Sequence, residues 1–235
     1  GKEEEMSGLR KAEAKNAYLD VTYGKKPFTG YPYLLAEYLC HAFGLQKHQK
    51  LLDLGCGRGE FLKGFIDLGL DGYGFDQSDT AMHLCPGATV KVGNLDSRLP
   101  FEDNFFDVVY SKSVIEHFYY PENLIQEAFR VLKPGGLIIS MTPDWKYNMV
   151  SFHSDYTHRT PFTIKSIDAI HKVVGFVDVK PERFVQLPLY WKFKSMFPLI
   201  WFVRNFIPGA LKSKFKFVRF SKEVMLLCSG RTPPA

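Results

Sequence analysis

The chain has 235 residues, 46% apolar and 23% charged, with a net charge of +5. Length and composition fit one large globular domain with a full core, and no internal repeat or low-complexity tract interrupts it. No apolar run reaches the roughly 18 residues of a membrane-spanning helix, and the charged start GKEEEMSGLRKAEAK lacks the apolar segment of a signal peptide. The four cysteines, Cys40, Cys56, Cys85 and Cys228, are scattered without a CxxC pair. That pattern argues against a disulfide framework or a structural zinc site and fits a reducing cytosol.

In chain order, residues 1–45 read as a helical cover broken at YGKKPFTGYP. YPYLLAEYLCHAFG is a helix with Pro32 near its start and Gly44 near its end. LLDL, from Leu51, is a short buried strand, and RGEFLKGFIDLG a helix with Phe61, Leu62, Phe65, Ile66 and Leu68 on its apolar side. GYGF is a strand, SDTAMHL a short helix and ATVKVG a strand. FDVVYS is a fourth strand, and PENLIQEAFRVL a helix opened by Pro121. LKPGG reads as a turn before a fifth strand, GGLIISMT. TIKSIDAIHKVVG is a helix with Thr163 at or near its N-cap, FVDVKPERF a sixth strand and EVMLLCS the last. This alternation predicts an α/β fold: a doubly wound, mostly parallel seven-stranded sheet of Rossmann-like form. The division is an N-terminal cover (1–45), a core (46–185), an insert (186–220) and a last strand (221–229) within one domain. Ligands in such folds sit at the carboxyl ends of the strands.

The stretch DLGCGRGEF places Gly55, Gly57 and Gly59 as G-x-G-x-G, and Glu60 stands where a dinucleotide fingerprint has its third glycine. A pyrophosphate at a helix N-terminus needs positive potential. Here Asp53 and Glu60 flank the loop, which suits a ligand carrying cationic groups. The stretch resembles motif I of the class I S-adenosylmethionine-dependent methyltransferases. GYGFDQS, VGNLDSRLPFEDNFFDVVYS, SVIEHF and LKPGG follow in the order and spacing of the type 11-like small-molecule branch, so the resemblance covers about residues 45–185. It implies S-adenosylmethionine as cofactor, held by Asp53, Gly55, Cys56, Gly57, Asp76, Gln77, Asn94, Leu95, Asp96 and Ser111. A carboxylate at Asp76 can accept from both ribose hydroxyls. The adenine amino group would be met by Asn94 or by Asp96.

Methyl transfer to a hydroxyl needs an aligned acceptor and a group to take its proton. His117, in IEHF just past the fourth strand, is the candidate catalytic base; packing against the cofactor's methionine end, or binding substrate without taking a proton, are its alternatives. Glu116 reads as structural. SFHSDYTHRTPFT gathers His153, Asp155, Tyr156, His158 and Arg159 where the fold puts substrate loops. It is similar to the D-x-T-H-x-R-P-F-T stretch of methyltransferases linked to surface glycans and secondary metabolites, with Arg159 one place early. His153, Asp155, His158 and Arg159 are the expected substrate-binding residues. Asp155 and His158 are expected to hydrogen-bond each other, and no metal is expected, although His153, Asp155 and His158 are ligand types.

Residues 183–222 hold nine Lys or Arg and no Asp or Glu, with eleven aromatics. The basic character is therefore local. Three readings fit this insert. One is a helical lid over the core. A second is an interfacial element, with Trp191, Phe197, Trp201 and Phe202 in a headgroup boundary and Lys192, Lys194, Lys212, Lys214 and Lys216 on anionic lipid. The third, a nucleic-acid groove, ranks last. The function these features imply is methylation of a small or lipid-linked acceptor, at oxygen, with a sugar or glycan among the candidates. The expected place is the cytoplasm, peripheral on the inner membrane face. A quinone-like acceptor is the rival enzyme reading, and a non-catalytic S-adenosylmethionine-binding module the rival of another class.

Overall fold

A computed structural model describes residues 21, 27–207, 211 and 214–235. The expectation of helix in residues 1–20 lies outside these, as does Lys212. The described part of the N-terminal cover is α1, Tyr31–Phe43, which ends on Gly44 in the left-handed region. Then follow β1 (Lys50–Leu54), α2 (Glu60–Asp67), β2 (Asp71–Asp76), α3 (Thr80–Leu84), β3 (Thr89–Val92) and β4 (Phe106–Lys112). The second half holds α4 (Pro121–Val131), β5 (Leu132–Pro143), α5 (Trp145–Phe152), α6 (Ile164–Val174) and β6 (Val177–Val185). It ends with α7 (Pro188–Lys192), α8 (Phe197–Phe206), α9 (Lys216–Lys222) and β7 (Val224–Arg231). The seven strands are ordered β3-β2-β1-β4-β5-β7-β6. β1, β2 and β3 pair in parallel, and β7 runs antiparallel to both β5 and β6. The order reverses beside β1, the strand that carries the glycine loop at its carboxyl end.

The chain forms two compact units, one up to Val109 and one from Tyr110 onward. In the first, Leu51, Leu52 and Leu54 of β1 are buried on both faces of the strand. α1 and α2 approach so closely that a Cβ on Gly64 would lie 3.1 Å from that of Ala36 and 3.2 Å from the Pro32 carbonyl. Tyr73, Phe75, Phe101, Phe105 and Phe106 pack edge to face in a cluster.

In the second unit, the LKPGG stretch is part of β5 rather than a turn ahead of it. The C-terminal residues explain the difference. The Thr232 hydroxyl donates to the Lys133 carbonyl, the Thr232 amide to Gly136 and the Gly135 amide to Pro233. The sequence pattern also gave no element for α5. Its N-cap is Asp144, fully buried, whose carboxylate accepts from the Lys146 amide and from Arg183 Nε at 2.7 Å. α6 has the expected Thr163 cap, completed reciprocally by Ser166.

His171 of α6 is buried, its Nδ1 bonded to the Ile167 carbonyl and its Nε2 to the Ser140 hydroxyl. A carbonyl only accepts, so Nδ1 carries the proton and Nε2 accepts. Burial pushes its pKa down from 6.5 to about 4. Between those values the unfolded chain binds the extra proton, so the stability is present above pH 6.5 and is lost as pH falls toward 4. A loss of about 3 kcal/mol between pH 7 and pH 4 is expected from this group. Urea denaturation at both pH values checks it, and His171→Gln should remove that part of the difference.

Candidate active site

The first unit holds a glycine cradle. Gly57 and Gly59 both have left-handed φ angles, of 52° and 79°. They differ in surroundings: a Cβ on Gly59 would lie 3.2 Å from that of Cys85 and 3.3 Å from that of Ala81, whereas one on Gly57 would meet nothing within 4 Å. Gly59 is needed for packing, and Gly57 leaves open space beside its backbone. The Asp76 carboxylate, at the end of β2 and 4% exposed, accepts from the Gly57 amide through Oδ2 and from the Ser78 amide through Oδ1, both at 2.9 Å. A carboxylate has about four acceptor positions, so two bonds still leave capacity for hydroxyl donors. Asp53 is likewise buried.

Three expectations change here. Glu60 does not add free negative charge to the loop, because Arg58 holds it in an ion pair at 2.7 Å. The negative character of the cradle therefore rests on Asp53 and Asp76. Cys56 turns its thiol inward, where it packs against Gly74. Burial first, then the nearby Asp53 and Asp76 charges, push that thiol's pKa up and keep it protonated. Only its backbone is available to a ligand. Asn94 has its carbonyl oxygen engaged twice, by Gln77 Nε2 at 3.3 Å and by the Asp96 amide at 3.1 Å. Gln77 and Asn94 thus shape the loop, Leu95 is buried beneath it, and exposed Asp96 is the better acceptor for an amino group.

The second unit holds a polar cluster. After β4 the backbone turns at Ser113, a non-glycine residue with φ of 57°, into the 3-10 turn Ile115–His117. Ser111 is buried, and its hydroxyl has no hydrogen-bond partner among the described residues. The Glu116 carbonyl accepts from the amides of Arg159 and Thr160, and the Thr160 hydroxyl donates to the Phe118 carbonyl. The DYTHRT loop is thereby stitched to a turn some forty residues earlier. His117 Nδ1 lies 2.8 Å from the Thr157 hydroxyl oxygen, whose proton goes to Asp155 Oδ1 at 2.6 Å. His158 Nδ1 bonds the Phe152 carbonyl, and its ring meets that of His117 edge-on at 4.8 Å.

Asp155 and His158 bond each other through the main chain, the His158 amide donating to the Asp155 carbonyl at 3.2 Å; between the side chains His158 Nε2 stands 3.9 Å from Asp155 Oδ2, and the Asp155 carboxylate accepts from the amide and hydroxyl of Thr157. His153 sits exposed at the end of α5, against the rings of Phe152 and Trp145. Arg159 donates to the Tyr156 and His158 carbonyls and lies over Tyr119. Two residues went unrecognised as partners of this cluster. Thr157 was legible from its position two after an aspartate, the spacing of an Asx turn. Glu116 was not, because its burial is invisible in sequence. Its side chain is 0% exposed, and Oε2 accepts from the Thr142 hydroxyl, while Oε1 has no hydrogen-bond partner among the described residues. Burial raises its pKa to about 7, the Thr142 bond pulling the other way. Among the described residues, Glu116, His117 and His158, rather than His153, Asp155 and His158, form the group able to hold a metal ion, with ligand atoms within 4.8 Å of one another.

A parallel strand–glycine loop–helix unit with a buried carboxylate ending the second strand defines a Rossmann-like nucleotide-binding protein. The family described as "Methyltransferase domain" matches residues 52–140. The sterol 24-C-methyltransferase erg6 of Schizosaccharomyces pombe is 30% identical over 162 residues, 60% of this chain and 43% of that enzyme. An S-adenosylmethionine-dependent methyltransferase from Archaeoglobus fulgidus superposes with a TM-score of 0.61 at 20% identity, over 86% of this chain and 94% of that one. Phosphoethanolamine N-methyltransferase 2 of Haemonchus contortus does so with 0.63 at 20% identity, over 92% of this chain and 59% of that one. The chain spans less than half the length of the curated relatives it matches. Over residues 52–140 the chain is similar to that methyltransferase family, and its Rossmann-like fold is the one both solved structures share.

The two glycines should respond differently to a methyl group. Gly57→Ala should remain folded and lose about 1–2 kcal/mol, the cost of a left-handed L-residue. Gly59→Ala should lose more, since it adds a clash with Ala81 and Cys85. Urea denaturation of both variants measures the difference.

Proposed function

We propose that the protein transfers a methyl group from S-adenosylmethionine to a hydroxyl on a small or lipid-linked acceptor, with sugars and glycans among the candidates. The observation that carries the donor half is the buried Asp76 carboxylate bonded to the amide of Gly57, a glycine with open space at its Cβ position. The residues fit that group. Asp76 has acceptor capacity for ribose hydroxyls, the Gly57 backbone admits close approach, Asp53 and Asp76 favour a cationic ligand, and Asp96 suits an adenine amino group. When bound, S-adenosylmethionine supplies an activated methyl group on a sulfonium.

The remaining task of the chain is to position the acceptor and take its proton. Thr157 has one hydroxyl proton, and it is given to Asp155, so toward His117 the oxygen acts as an acceptor. His117 therefore carries its proton on Nδ1, which makes Nε2 the basic nitrogen. With a methyl group supplied by the bound donor, His117 Nε2 would take the proton that the acceptor hydroxyl gives up. Thr157 and Asp155 are positioning residues, and His158 and Arg159 border the acceptor. A lipid-linked acceptor, met from the cytoplasmic side of a membrane, is supported by the basic, aromatic insert. The sugar class is supported by the resemblance of the DYTHRTPFT stretch.

The first experiment is calorimetric titration with S-adenosylmethionine and S-adenosylhomocysteine. Micromolar binding is expected, weakened about 10- to 100-fold in Asp76→Ala by the lost charge-assisted bonds. No binding by the parent would overturn the donor assignment. Unchanged affinity in the variant would remove Asp76 from it.

A second set addresses the base, using hydroxylated acceptors. His117→Ala should lower kcat about 10²- to 10⁴-fold with donor affinity intact. Thr157→Val should lower kcat with KM little changed, and Thr157→Ser should restore it. Activity should survive a chelator. Its loss, with recovery on adding a divalent cation, would replace the base by an ion held at Glu116, His117 and His158. Tight donor binding without turnover on any acceptor would favour the non-catalytic reading.

A further inference from the structure

The insert is partly tied into the second unit. Trp191 Nε1 donates to the Val185 carbonyl, Arg204 Nε to Ser221 and Lys222 Nζ to Arg204, while Arg183 and Arg219 pair with Asp144 and Glu223. Ile200 joins Val185 and Leu187 in a small core, with Tyr190, Met196, Phe217 and Phe220 packed against it. These contacts use only one side of α8, where Ile200 and Val203 are buried.

The other side of α8 is unlike a lid. At 100° per residue, Phe197, Leu199, Trp201, Phe202 and Phe206 spread over the outward half of the helix. Each is at least half exposed. A surface helix normally turns charge toward water on that side; here Asn205 is its polar interruption. Phe193 and Phe215, on the flanking segments, are also exposed. Flanking α8 along the chain are Lys192, Lys194, Lys214 and Lys216, all exposed, in a stretch whose residues 183–222 contain no acidic side chain. A large exposed apolar patch rimmed by charge of one sign marks an interaction surface.

We propose that the outward face of α8, with Phe193, Phe215 and the flanking lysines, is a docking surface for a bilayer rich in anionic lipid. This deepens the lipid-linked reading above by naming the surface that would bring the protein to its acceptor. The charge selects the occupant: a stretch, residues 183–222, with lysines and no carboxylate of its own favours an anionic plane, and rings on a short helix suit insertion into the headgroup boundary. α8 is ten residues long and no described helix is long and apolar enough to cross a membrane, so the docking is interfacial.

The test is sedimentation with vesicles of phosphatidylcholine alone or mixed with phosphatidylglycerol, neither holding any acceptor. Binding to the mixed vesicles, weakening as salt is raised, is expected. Trp201→Ser combined with Phe202→Ser should reduce the partition coefficient at least tenfold. So should Lys192→Ala with Lys214→Ala and Lys216→Ala, at about fivefold per lysine near the surface. S-adenosylhomocysteine affinity and the melting temperature of these variants report that the fold is intact. Fluorescence of the parent protein should shift to the blue on mixed vesicles, and Trp201→Phe should diminish that shift. Absence of binding to either vesicle overturns the proposal and leaves the donor assignment standing. So does a salt-stable dimer in sedimentation velocity that the Trp201 and Phe202 changes dissolve, because the face then belongs to a second copy.

Discussion

The hydrogen bond from the Gly57 amide to the buried Asp76 carboxylate fixes the glycine cradle of this protein. It joins the end of β2 to the loop that follows β1, two pieces of chain that the parallel register already sets side by side. A buried carboxylate without donors would be costly, and two backbone amides remove most of that cost. The same pair of bonds holds the glycine backbone at one distance from the carboxylate. The position of the cradle is thus set by one side chain, and its charge by that side chain together with Asp53.

The second unit solves a comparable problem with main-chain atoms. The Glu116 carbonyl receives the amides of Arg159 and Thr160, so the 3-10 turn and the DYTHRT loop cannot move independently. On that frame the chain of bonds sets each donor: the Thr157 hydroxyl donates to Asp155, and His117 Nδ1 donates to the Thr157 oxygen. The buried Glu116 side chain bonds the Thr142 hydroxyl, and burial raises its carboxyl pKa to about 7. Its side chain is better understood as a buried part of the cluster than as a solvated charge.

Much of this was legible in the sequence because it depends on local rules. The βα alternation, the Pro32 and Pro121 helix starts and the Thr163 cap are written in neighbouring residues, and each element stands where its signal lies. The glycine loop and Asp76 were readable for the same reason. What was not legible depends on partners distant in the chain. α5 rests on an N-cap whose charge is balanced by Arg183, thirty-nine residues away. LKPGG becomes strand because residues near the C-terminus bond to it. Asn94 looked available until Gln77 and Asp96 were seen to share its oxygen. His153 looked like part of the histidine cluster because sequence spacing cannot show that α5 ends beneath it.

The cysteines carry a consequence of their own. Cys56, Cys85 and Cys228 are buried, and burial raises all three thiols, Cys228 to about 12. The partly buried Cys40 is raised to about 11. The thiolate is the reactive form, so all four are poor nucleophiles near neutral pH. A maleimide dye should therefore find almost nothing to alkylate on the folded native chain. A single cysteine introduced on an exposed position would be labelled against a dark background, which makes this fold a convenient carrier for distance reporters without removing any native residue.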